Sequence, residues 1–116
     1  MNLTLPYPPS SNRYWRHYRG VTVISDEARA YRTGVYMISC AAGAVPLDGP
    51  VCLTVTVYRP RKSGDLDNRL KVLLDALQGT AYQDDKQVRE LHAYLRDDKD
   101  NPRVEVRVVP QTQQEG

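Results

Sequence analysis

Phenylalanine is absent from this chain of 116 residues, and tryptophan occurs once. Nearly all the aromatic surface is therefore tyrosine, eight in number, each with a hydroxyl that needs a polar partner when buried. Such residues serve half-buried and interface positions as well as a core. Cysteine is scarce too. Cys40 and Cys52 are the only two, with no C-x-x-C spacing, which excludes a disulfide framework and fits a reducing compartment. Each lies in an apolar stretch and is expected as a small buried thiol. His17 and His92 have no H-x-x-x-H or Cys partners, so no zinc site is expected. No apolar run approaches the ~20 residues of a membrane span. The N-terminus shows no charged start followed by an apolar run, so no signal peptide is expected. The phosphate-cradling G-x-x-x-x-G-K-S/T, the dinucleotide G-x-G-x-x-G and the hydrolase G-x-S-x-G are all missing, and no nucleotide cofactor is expected.

What is present is an ordinary share of apolar residues, 41%, and of charge, 26%, enough for one buried core. The net charge of +2 conceals a division. Residues 1–64 carry eight Lys/Arg against three Asp/Glu, and residues 65–116 carry eight against eleven. A basic half beside an acidic half suits a polyanion-binding surface next to a carboxylate cluster, although a merely solvated surface would have the same tally.

Residues 2–5 alternate as a short strand, stopped by P-Y-P-P-S-S-N. A cationic aromatic stretch, R-Y-W-R-H-Y-R, follows at 13–19, and residues 21–24 suit an extended piece. Ser25 is placed to cap a helix reaching about residue 42, with Ala28, Tyr31, Val35, Ile38 and Ala42 as its inner stripe and Gly43 as its stop. Residues 51–58 alternate as a strand with Val51, Leu53, Val55 and Val57 on one side. The basic loop R-P-R-K-S-G leads into a helix over 67–78, striped by Leu70, Leu73, Leu74 and Leu77 and closed by Gly79. Strands are expected at 88–96 and 103–109, joined by D-D-K-D-N-P as a polar hairpin, with a frayed tail at 111–116. The order β-α-β-α-β-β gives a single α+β domain over 1–110, a small mixed four-stranded sheet with two helices.

Three features could carry chemistry. In G-D-L-D-N-R-L-K, residues 64–71, Asp65 and Asp67 stand two apart, and Asp67, Lys71 and Asp75 recur on one helical face. Converging carboxylates repel unless a cation joins them, and carboxylate oxygen is what magnesium and manganese prefer. For an isolated D-x-D, capping of a helix N-terminus is the commoner explanation, worth about 0.3–1 kcal/mol. In D-D-K-Q-V, residues 84–88, Asp85 can project from a strand start into a shared site, with Asp84 beside it as support or alternate; a plain turn is the rival. The third feature is cationic: Arg13, Tyr14, Trp15, Arg16 and Arg19, with Arg59, Arg61 and Lys62, can contact phosphates and stack on bases. Its rival is partial core packing of Tyr14 or Trp15.

Taken together, P-P-S-S-N-R-Y-W-R at 8–16, G-D-L-D-N-R-L-K-V-L-L-D-A-L at 64–77 and Y-Q-D-D-K-Q-V at 82–88 resemble the RusA family of Holliday junction resolvases, phage- and prophage-borne endonucleases. The resemblance implies a magnesium-dependent homodimer, with manganese able to substitute, that nicks opposed strands of four-way DNA junctions in the bacterial cytoplasm. It implies Asp65, Asp67 and Asp85 as metal-binding carboxylates and Lys71 as the active-site lysine, with Asp75 as a further acidic position. A C2 dimer would supply the two nicks, through the apolar face of the 51–58 strand or the Met37 side of the first helix. Two alternatives stand beside it: a non-catalytic, structure-selective DNA-binding protein, and a nuclease on flap or single-stranded DNA.

Overall fold

The computed structural model describes residues 1–11, 15–62 and 66–111, with the backbone alone for Trp15–Tyr18. Its elements are β1 (Asn2–Pro6), β2 (Trp15–Tyr18), β3 (Val21–Ile24), α1 (Asp26–Ala41), β4 (Val51–Arg59), α2 (Leu66–Ala76), a short 3-10 turn (Asp85–Gln87), β5 (Val88–Asp97) and β6 (Arg103–Pro110). Four strands form one mixed sheet in the order β1-β6-β4-β5. β4 and β5 are parallel, with α2 as the crossover between them, and β6 runs antiparallel to both β4 and β1.

This is the expected α+β architecture with three differences. First, β2 and β3 pair as a separate antiparallel hairpin. Its two-residue turn places Arg19 at φ 49° and Gly20 at φ 76°, the left-handed pair that matches strand twist. Second, D-D-K-D-N-P does not close a hairpin, because β4 lies between β5 and β6. The loop instead passes the end of β4, where the Asp98 N–H donates to the Arg59 carbonyl at 2.9 Å and Arg59 pairs with Asp97. Third, the inner stripe of α1 is Ala28, Tyr31, Val35 and Ser39, while Ile38 is exposed. The helix ends at Ala41, too short to bring Ala42 round, and Gly43 terminates it at φ 76°.

The core lies between one face of the sheet and the helices. Val51, Leu53, Val55 and Val57 have no exposed surface at all, nor do Leu73 and Leu77 of the α2 region. The Ser25 hydroxyl accepts the Ala28 N–H at 3.2 Å, as expected of the cap of α1. The inner face of β4 is thus consumed by the monomer's own core and has no surface to offer a second copy. Met37, in contrast, is 64% exposed beside Tyr36. Neither cysteine is buried as expected. Cys40 is exposed, and Cys52 is half-buried on the polar side of β4.

Candidate active site on α2

The α2 helix is the rod on which the site is assembled. Its buried residues Val72, Leu73 and Ala76 seat it on the sheet, and this rotation turns Asp67, Lys71 and Asp75 away from the core. These three recur every fourth residue and span about 12 Å of helix axis. Asp67 and Lys71 form an i,i+4 pair at 3.7 Å, both well exposed. Such a pair is worth a few tenths of a kcal/mol, so Lys71 is readily available to another anion.

The N-terminal end of α2 is tied to the proline segment that precedes the basic stretch. The Ser11 hydroxyl donates to Asn68 Oδ1 at 2.8 Å. Arg69 donates to the Pro8 carbonyl at 2.8 Å, and its guanidinium lies 4.7 Å from the centre of the Tyr7 ring. The Tyr31 hydroxyl donates to the Pro6 carbonyl at 2.8 Å, fixing the same segment to α1. Two of the three motifs, some sixty residues apart in sequence, thus meet beside Asp67.

The C-terminal end is tied to the third motif. Tyr82 is fully buried and donates its hydroxyl to the Leu74 carbonyl at 2.7 Å. The Asp84 carboxylate caps the 3-10 turn by accepting the Lys86 N–H at 2.9 Å, which holds its proton affinity below the ordinary carboxylate range. Gln87 closes the box: its Oε1 accepts the Gln83 and Asp84 N–H groups, and its Nε2 donates to the carbonyls of Leu47 and Gly49. Asp85, beside this cap, is exposed. Partial burial raises the Asp75 proton affinity, and the negative charge of Asp85 raises it further. The same two carboxylates add to the effect of burial on the Tyr82 hydroxyl. Arg32 of α1 approaches Asp75 at 3.7 Å, and Gln78 reaches it at 3.4 Å.

Among the described residues, Asp85 is the carboxylate whose charge reaches Asp75. The oxygens of Asp67, Asp75 and Asp85 do not close into one three-ligand cluster among the described residues. Asp65 lies outside the described residues, as do Arg13 and Tyr14; of Trp15 and Arg16 the backbone alone is described, in β2. Arg19 sits at the hairpin turn. Arg59 is paired with Asp97, and Arg61 and Lys62 are exposed in the loop that leads towards α2. Sequence reasoning missed the anchoring roles of Tyr82 and Gln87. D-x-x-Q at 84–87 is itself a capping-box pattern and could have revealed the second.

The family model described as Endodeoxyribonuclease RusA matches residues 6–109. This chain belongs to the RusA family. The crossover junction endodeoxyribonuclease RusA of Shigella sonnei strain Ss046 is 44% identical over 90 residues, 75% of either chain. That of Escherichia coli strain K12 is 43% identical over the same share of each, and so is that of Enterobacteria phage 82. The matched family region takes in the proline segment, α2 and the Asp84–Asp85 turn, the three parts that the hydrogen bonds above join. No helix among the described residues is long and apolar enough to cross a membrane.

Proposed function

We propose that this RusA-family chain is a magnesium-dependent endodeoxyribonuclease of the bacterial cytoplasm, phage- or prophage-encoded, that resolves four-way junctions as a homodimer by paired, symmetric nicks. Residues 1–110 would form the nuclease domain; of the tail expected at 111–116, Gln111 donates its N–H to the Pro50 carbonyl at 2.9 Å, and the rest lies outside the described residues. The observation that carries this reading is the convergence on one helix: the segment leading into the basic stretch is bonded at Asn68 and Arg69, and the second acidic motif is seated beside Asp75.

The donor set fits a hard divalent cation. Partial burial and then the Asp85 charge raise the proton affinity of Asp75, and a nearby divalent cation would relieve that crowding of negative charge. Asp65, Asp67 and Asp85 would hold the metal, manganese serving in place of magnesium, and Asp75 would orient Asp85. Magnesium bound there supplies Lewis acidity at the scissile phosphate and lowers the pKa of an attacking water. Lys71 leaves its weak pairing with Asp67 to neutralise charge growing on the phosphate oxygens. Arg13, Arg16, Arg19, Arg59, Arg61 and Lys62 bind backbone phosphates, and Tyr14 and Trp15 stack on or wedge between bases at the branch point. Asp84 and Gln87 keep the Asp85 turn in place.

The test is an equal-concentration comparison of labelled four-way, flap, duplex and single-stranded DNA, each with magnesium or with EDTA. Symmetric paired nicks in the four-way junction with magnesium alone are expected. Shifted but intact junctions under both conditions would make the chain a binding protein, and faster cutting of flap or single strands would make it a different nuclease.

A further inference from the structure

The open face of the sheet carries a second constellation that the acidic site does not use. Cys52, Thr54 and Thr56 alternate with the core residues of β4, and β5 aligns Glu90 beside Cys52 and His92 beside Thr54. A one-residue irregularity sets that phase. Val88 is aligned with Val51, Arg89 is passed over, and Glu90 and His92 thereby fall on the outer side. The Cys52 thiol donates to Glu90 Oε2 at 2.9 Å, and His92 Nε2 lies 3.2 Å from the same oxygen. The sulfur, oxygen and nitrogen all lie within 4.8 Å of one another.

These distances suit a shared ion. Zinc bonds of about 2.0–2.3 Å at tetrahedral angles space neighbouring donors roughly 3.5 Å apart, so small side-chain rotations would centre a cation among the three. The chemistry of the set selects the metal. One thiol, one imidazole and one carboxylate suit zinc-class transition ions and are poor ligands for magnesium. His92 and Glu90 are each about half exposed, leaving a path for the ion and a position for water. Arg107 on β6, aligned with Thr54, is a neighbouring cation whose charge reaches Cys52; it flanks the donors from the opposite strand.

We propose that Cys52, Glu90 and His92 form a zinc-class metal site on the open face of the sheet, distinct from the acidic face of α2. This runs against the expectation of no zinc site at His92, because the donors are 38 and 40 residues apart along the chain and only the parallel pairing of β4 with β5 joins them. An ion held there would bridge β4 to the edge strand that follows the Asp85 turn.

The experiment is cobalt titration of tag-free, metal-stripped protein, monitored for thiolate-to-cobalt charge transfer, followed by zinc competition against a chromophoric chelator. Stoichiometric cobalt binding with a thiolate band that zinc displaces is expected. Cys52→Ser abolishes the band, and His92→Ala and Glu90→Gln weaken binding on the order of 10- to 100-fold or more. Cys40→Ser and Asp85→Asn retain it. Circular dichroism of the metal-free variants separates lost ligands from lost fold, and Glu90→Gln alters an exposed side chain that the core does not use. Cobalt bound without a thiolate band, a band that survives Cys52→Ser, or one that disappears with Cys40→Ser would each overturn the assignment.

Discussion

The two ends of α2 are held by different physics. At the N-terminal end, polar side chains of the helix reach out to a proline segment: Asn68 accepts from Ser11, and Arg69 donates to Pro8 and covers Tyr7. At the C-terminal end the partner reaches in, with Tyr82 buried against the Leu74 carbonyl and the Asp84–Asp85 turn held by Gln87. The first tether joins the proline segment to α2 one and two residues after Asp67. The second fixes the turn whose Asp85 charge reaches Asp75. A nuclease site that must attract phosphate and yet concentrate negative charge gains from keeping these two parts on separate supports.

Loosening the seat of α2 on the sheet, which both tethers depend on, should have the largest effect on stability. Leu73 is fully buried on the inner side of α2, and Leu73→Ala is expected to cost about 2–5 kcal/mol in urea unfolding. Arg69→Ala releases only the N-terminal tether. It removes a charge-assisted hydrogen bond and a cation–π contact, so a loss of about 1.5–3 kcal/mol is expected, with weakened junction binding in a mobility-shift titration. Tyr82→Phe loosens the other end alone. It leaves the Leu74 carbonyl without that donor, for about 0.5–1.5 kcal/mol, and should slow cleavage while sparing junction affinity.

The smallest effect sharpens the comparison through pH. Burial, and then the Asp85 charge, raise the Asp75 proton affinity in the native protein above that of the unfolded chain. The native state keeps this proton where the unfolded chain has lost it. The contribution of Asp75 is therefore complete below the ordinary carboxylate range and declines as pH rises through the raised native value. The stability of Asp75→Asn minus that of the wild type, measured by urea unfolding, should grow as pH climbs through that window. A difference that is flat or falls with pH would mean that burial and the Asp85 charge do not raise the Asp75 proton affinity.

Local pattern carried much of the fold. The alternation of 51–58 gave β4 and its buried face, and Ser25 with Gly43 bracketed α1 closely. Pairing was less visible. Nothing local tells β5 to lie parallel to β4 and to leave β6 on the far side, since that depends on α2 serving as a crossover. The same gap concealed the Cys52 neighbourhood and made D-D-K-D-N-P look like a hairpin. In the candidate site, residue types were legible because carboxylates at spacings of two and four carry their own chemical logic. The reach of the Asp85 charge to Asp75 was not, because it depends on Tyr82 holding the turn against α2 through the Leu74 carbonyl.

In the proposed nuclease, the Asp67 end and the Asp85 end of α2 serve one reaction centre. Single-turnover cleavage of a labelled four-way junction by Asp67→Asn, Asp85→Asn and the double variant tests it most directly, with junction affinity measured alongside. Each single change should cost on the order of 1,000-fold or more with affinity equal or tighter, and the double variant should be little worse than either. Near-normal cleavage by Asp85→Asn, or losses that simply multiply in the double variant, would contradict a shared centre.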